Sequence, residues 1–208
     1  MSYNFTSPDF LSSVTPPVTT FPCTLAGWFN STSITQNQAL ISVGDDDGPS
    51  FISLEVSGGI AGDPVRARSG SGTASTTTGY TGSQWYHACG VFASATSRTA
   101  YIDGGSSGTN TTSDTPSGIS SLQIGRVFFN NTAGQRFAGR IAETAIWNVA
   151  LNIDEIRSLA DGYRPSLIRP QNLVFYAPLI RDLIDVARGI SLINGDNVPV
   201  AEHVRRIG

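Results

Sequence analysis

The chain has 208 residues, 39% of them apolar and 14% charged, with a formal net charge of −3. Such a length fits one domain, and the lack of any basic cluster excludes nucleic acid as a partner. No apolar run approaches the roughly eighteen residues of a membrane span. In chain order, Met1 is followed by the polar run SYNFTSPDF, with neither a basic nor an apolar leader region. That predicts synthesis in a cytoplasm without secretory export. Segment 22–30 then alternates Cys23, Leu25, Gly27 and Phe29 against Thr24, Ala26 and Trp28, the period of a strand. Strands are predicted at 38–44 and 50–56 around a turn at Asp45-Asp46-Asp47-Gly48-Pro49. Residues 57–84 are mostly Gly, Ser and Thr, with one short strand predicted near 64–68.

The clearest hairpin joins 84–92 to 97–103, and Asp103-Gly104 signals a type I′ turn into a return strand at 106–112. A strand at 121–127 precedes a loop at Asn130-Asn131. Residues 136–147 read as a long strand entering one short helix over 152–161. Asn152 is its predicted N-cap, Glu155 closes a capping box, Leu151 and Ile156 form a staple, and Gly162 ends it. Ile156, Leu159 and Ala160 form its packing face. A Pro-bounded connector, 164–170, leads to a last buried strand at 172–179. Short strands at this spacing with a lone helix predict an all-β sandwich over residues 1–179. The tail, 180–208, carries Leu183, Ile184, Val186, Ile190, Leu192 and Ile193 together with Arg181, Arg188, Arg205 and Arg206. It is either an edge strand of its own sandwich or an arm that holds neighbouring subunits.

The segments TLAGWFN (24–30), Trp85-x-His87, TAYIDGG (99–105) and GRIAETAIWNVALNIDEI (139–156) occur in an order that resembles the laminin-G-like, concanavalin-A-like jelly-roll domains of bacteriophage and environmental bacterial sequences. His203-x-Arg205 matches the ending of phage members of that group. The resemblance covers about residues 3 to 180 and implies a two-sheet antiparallel jelly-roll sandwich with one short helix. It implies an activity only weakly, because one fold hosts many functions. Relatives commonly carry Asp where this chain has Ala142, so any role of that Asp is lost.

Local catalytic spacings are absent from the sequence, which leaves only a carboxylate pair drawn from distant strands. No strand carries the Glu-x-Asp-x-x-Glu spacing that aims carboxylates into one groove, and no Gly-x-Ser-x-Gly sits at a strand-to-helix turn. His87 reads as a satisfied core histidine rather than a ligand-site group. Asp45-Asp46-Asp47 reads as a solvated turn, with calcium bridging to Asp63 or Asp103 as the alternative. Cys23 and Cys89 are expected to be free and buried, and Trp28, Trp85 and Trp147 to be core residues. Glu143, placed in register with Phe137, Ile141 and Trp147, should face apolar surroundings and find an Arg or backbone amides as partner. Exposed aromatics are expected in loops, at Tyr80, Phe128 and Phe129. With Asn130, Arg205 and Arg206 they are the candidate contacts for a sugar or a protein neighbour. All thirteen basic residues are Arg, which reflects composition bias or a surface built for planar bidentate pairing. The expected function is a non-catalytic virion protein, a capsid decoration subunit binding capsid protein or copies of itself. The alternative is a carbohydrate-binding module or adhesin. No cofactor or metal is expected.

Overall fold

The computed structural model describes residues 2–6, 8–180, 183–195 and 198–201. Alternating apolar and polar positions give the strands β1 (Ser2–Phe5), β2 (Leu11–Ser13), β3 (Cys23–Ser31), β4 (Asn37–Gly44), β5 (Phe51–Ser57) and β6 (Pro64–Ser69). There follow β7 (Gly72–Gly79), β8 (Tyr86–Ser94), β9 (Ser97–Ile102), β10 (Ser106–Asn110), β11 (Ser121–Ile124), β12 (Val127–Phe129) and β13 (Thr132–Gly134). After β14 (Gly139–Trp147) and the helix α1 (Ile153–Ala160) come β15 (Leu173–Ala177), β16 (Ile193–Asn194) and β17 (Val200–Ala201). They form a two-sheet antiparallel jelly-roll sandwich. One sheet runs β10-β9-β8-β3-β14-β1-β17, with β15 also on β14, and the other runs β16-β2-β11-β4-β5-β6-β7. The β12–β13 hairpin stands apart. Between the sheets Leu25, Phe29, Ile52, Leu54, Ile146 and Phe175 are fully buried.

The helix is capped as its sequence dictates. Asn152 Oδ1 accepts from the backbone N–H of Asp154 and Glu155, each at 3.0 Å, and a Glu155 carboxylate oxygen accepts from Asn152 N–H at 2.7 Å. Ile156 and Leu159 press onto the outer face of the first sheet, where Ala26, Val91, Trp147, Leu151 and Tyr176 complete a second core. Asp103 and Gly104 both have positive φ, as a type I′ turn requires.

Three departures from the sequence expectations have physical causes. The stretch 57–84 holds two strands rather than one, because the small residues of β7 pair with β6. Second, β14 is one strand with two partners on the same edge, β1 along Gly139–Ile141 and β15 from Thr144 onward. At the switch Glu143 takes φ +53, in a bulge between Ala142 and Ala145. The extra residue turns Ile141 to the inner core and Trp147 to the helix side, so the expected common face does not exist. Glu143 is half-buried, and the Tyr176 hydroxyl donates to its Oε2. Burial, then the Glu143 carboxylate, pushes the Tyr176 phenol above its usual range. Third, Trp147 is fully buried as expected, whereas Trp28 and Trp85 are only half-buried.

The described part of the tail lies along its own sandwich. Ile193 and Asn194 pair with β2, and Val200 and Ala201 pair with β1. The side chains of Ile184, Val186, Ile193 and Val200 remain exposed.

Candidate functional site

Strand β5 places Ile52, Leu54 and Val56 in the core, so Ser53, Glu55 and Ser57 must point outward from the seven-stranded sheet. Register then aligns Arg66 of β6 with Glu55, and Arg68 with Ser53. On β7, Ser75 lies opposite Arg66 and Thr73 opposite Arg68. The outer face is polar, yet the β12–β13 hairpin folds over part of it. Phe129 stacks on Phe51 at 4.5 Å, and Val127 packs with Ala39 and Phe51. Asn130 and Asn131, with φ of +50 and +53, make the two-residue turn at the hairpin tip.

Glu55 is at the centre of this face and fully buried. Ser53 Oγ–H donates to Oε1 at 2.7 Å. The Gln135 amide, oriented by its neighbours' hydrogen-bonding chemistry, donates to both Glu55 oxygens at 3.0 and 3.2 Å and accepts from Arg68 Nη1 at 3.1 Å. Gln135 adopts φ +50 immediately after the hairpin, a backbone conformation that costs a non-glycine residue energy. Its carbonyl accepts from Ala39 N–H at 2.7 Å, which holds it there. The guanidiniums of Arg66 and Arg68 each approach Glu55 to 3.9 Å, with side chains 11% and 29% exposed. Arg68 also lies over the Phe51 ring at 4.8 Å.

A second polar string runs beside the hairpin. Arg126 Nε–H donates to Gln123 Oε1 at 2.9 Å, Gln123 Nε2–H donates to Ser121 Oγ at 3.2 Å, and Ser121 Oγ–H donates to Asp46 Oδ1. The Arg126 guanidinium sits 3.3 Å from the Phe10 ring centroid and 5.0 Å from that of Phe128.

Burial pushes the Glu55 carboxyl above its usual range, against the lowering pull of Ser53, Arg66, Arg68 and Gln135. A folded-state value above the unfolded one means the folded chain holds that proton more tightly. The stability this contributes is therefore full below the unfolded value of about 4.3 and is lost as pH rises through the folded value. Urea melts from about pH 4 to about pH 8 should show the parent losing ground to Glu55→Gln as pH rises. A stability difference that stays flat with pH contradicts it.

The structure brings Phe128, Phe129 and Asn130 together beside this cluster, on a hairpin rather than in an open loop. Both rings are half-buried, because Phe51 and Arg126 cover them. Tyr80 is not an exposed loop aromatic. It is 2% exposed, edge-on to Phe29 at 5.3 Å, and its hydroxyl donates to the Ser33 carbonyl at 3.0 Å. Arg205 and Arg206 lie outside the described residues. Glu55, Arg66, Arg68 and Gln135 were not singled out from sequence. The signal was Ser53-x-Glu55-x-Ser57 and Arg66-x-Arg68, polar groups at period two on strands whose other face is apolar. His87 is buried with its backbone N–H donating to Asp103 Oδ1 at 2.8 Å, and its ring lies 5.4 Å from Trp28. Cys23 and Cys89 are free and buried, and burial pushes both thiols well up. Asp45 Oδ1 accepts from Asp47 N–H at 3.2 Å, an ordinary turn contact. Among the described residues no group of three or more His, Cys, Asp or Glu is placed to hold a metal ion.

A protein-family model described as the concanavalin A-like lectin/glucanases superfamily matches residues 6–157. The chain belongs to that superfamily. A search of curated proteins found no match. Among solved structures, a putative carbohydrate binding protein from Bacteroides ovatus superposes with a TM-score of 0.64 at 19% identity, over 96% of this chain and 61% of its own. The chain thus spans under two thirds of that protein's length. Domain 4 of an extracellular arabinanase from Geobacillus stearothermophilus, solved with arabinotriose, gives 0.56 at 20% identity, over 69% of this chain and 68% of its own. The sialidase CBM40 of Ruminococcus gnavus, bound to α2,3-sialyllactose, gives 0.55 at 15%, over 67% and 82%. At such identities the concanavalin A-like likeness is one of fold.

Proposed function

We propose that this chain is a non-catalytic carbohydrate-binding module whose ligand lies on the outer face of the seven-stranded sheet. The observation that carries this is the pair of partly exposed guanidiniums, Arg66 and Arg68, held with Gln135 over a buried carboxylate beside the Phe128–Phe129 hairpin. Sugar sites combine such fixed polar groups with aromatic walls. Superfamily membership and the sugar-related solved structures support the same reading. Glu55 is the one carboxylate on β4 to β7 and β11, and its pairing with the arginines supports a binding role over that of a glycosidase carboxylate.

A glycan array probed with the purified chain is the test, and binding to no sugar overturns the reading. Gln135→Ala and Phe129→Ala should each weaken the best array ligand about tenfold, the worth of one charge-linked hydrogen bond or a lost apolar wall. Unchanged affinity in both would move the site elsewhere. The comparisons favour this function over capsid decoration. That second role, and residence in a virion, has the exposed apolar side chains of the tail as its structural support. Co-sedimentation of the chain with phage heads would establish it.

A further inference from the structure

We infer that the outer face takes an acidic sugar, one whose carboxylate or sulfate group seats against Arg66 and Arg68. This rests on the carbohydrate-binding reading and names its ligand class. Two guanidiniums share one carboxylate, so the cluster is short of negative charge. Of the acids beside β6, Asp63 precedes Pro64 at the strand's start, three residues from Arg66, and Asp114 accepts from Ser69 Oγ–H, which points to the opposite side of that strand. The cross-strand neighbours on β7 are the uncharged Ser75 and Thr73.

The guanidiniums have also not spent their forks on Glu55. Both separations are 3.9 Å, an attraction between charges but too long for hydrogen bonds. The Arg66 guanidinium makes one hydrogen bond among the described residues, Nη1–H to Ser57 Oγ at 3.1 Å, and its buried Nε–H has no acceptor there. Arg68 commits Nε to the Gly70 carbonyl and Nη1 to Gln135, which leaves Nη2. Planar guanidiniums with unused donors, one stacked on Phe51, match the geometry of a carboxylate or sulfate. A neutral hydroxyl would leave the charge unbalanced.

The test titrates the purified chain with a galacturonate oligosaccharide against its methyl ester, and with dextran sulfate against dextran. At least one acidic form should bind at least about tenfold tighter than its neutral counterpart. That preference should shrink from about 0.1 M to about 1 M salt, where the screening length falls from about 10 to about 3 Å. Whichever arm responds identifies the acid group. Ser75 is exposed and faces Arg66, so Ser75→Glu supplies a tethered carboxylate with little risk to folding. It should weaken the acidic ligand about tenfold with an unchanged thermal melt. Neutral sugars binding as well as acidic ones, or an inert Ser75→Glu, overturn the acidic preference while the carbohydrate reading stands. Binding of no sugar at all overturns both.

Discussion

Replacing Trp147 with Ala is expected to destabilise the fold by about 3–5 kcal/mol, the largest effect of any single substitution considered. Trp147 is fully buried and lies under α1 with Ala26, Val91, Leu151, Ile156, Leu159 and Tyr176. Its removal opens a cavity between the helix and the sheet. Its Nε1–H also donates to the Ile168 carbonyl at 2.7 Å, tying the connector after the helix to β14. Trp147→Phe keeps most of the volume and loses that bond, so its cost should be nearer 1–2 kcal/mol, about that of an unpaired group. Equilibrium urea unfolding separates the two. A Trp147→Ala midpoint equal to the parent's contradicts the packing described. The proposed sugar binding should survive in whatever fraction remains folded, since the candidate site is on the other sheet.

Asp185→Ala is expected to cost about 2–4 kcal/mol and to release the tail. The carboxylate is 1% exposed and accepts three backbone N–H groups: Tyr176 at 2.5 Å, Ala187 at 3.0 Å and Arg188 at 2.8 Å. Val186 N–H in turn donates to the Tyr176 carbonyl at 2.7 Å. A side chain thereby pairs the free edge of β15, where a neighbouring strand would otherwise be needed. Without it the buried Tyr176 amide has no acceptor. Hydrogen exchange at Tyr176 should accelerate together with loss of stability. Unchanged protection there would show that Asp185 does not hold the edge. The same contacts imply that a chain ending at Leu179 loses stability.

Strong periodicity was readable residue by residue. The alternation of 22–30 became Cys23–Ser31, and the helix cap at Asn152 was legible because capping is local chemistry. Strand β7 was not legible, since GTASTTTG has no large apolar residue and exists as a strand by pairing with β6. The bulge at Glu143 left no local mark either, because it arises where β14 changes partners. For the site, the Phe128–Phe129 pair could be read from sequence, but its setting could not. Glu55, Arg66 and Gln135 are brought together by strand register and hairpin placement, which depend on contacts far apart in the chain.

The pairing of β1 with β17 determines how the sandwich bears load. Ser2 lies opposite Ala201 and Tyr3 opposite Val200, so residues 2 and 201 stand side by side at the same end of the pair. Hydrogen bonds of an antiparallel pair lie across the strands. Tension between residues 2 and 201 therefore pulls along those bonds and breaks them one pair after another, as a zipper opens. This edge yields first, while β1 is still held by β14 on its other side. A sandwich pulled through residues 2 and 201 gives way at its margin before the sheet that carries the arginines is disturbed.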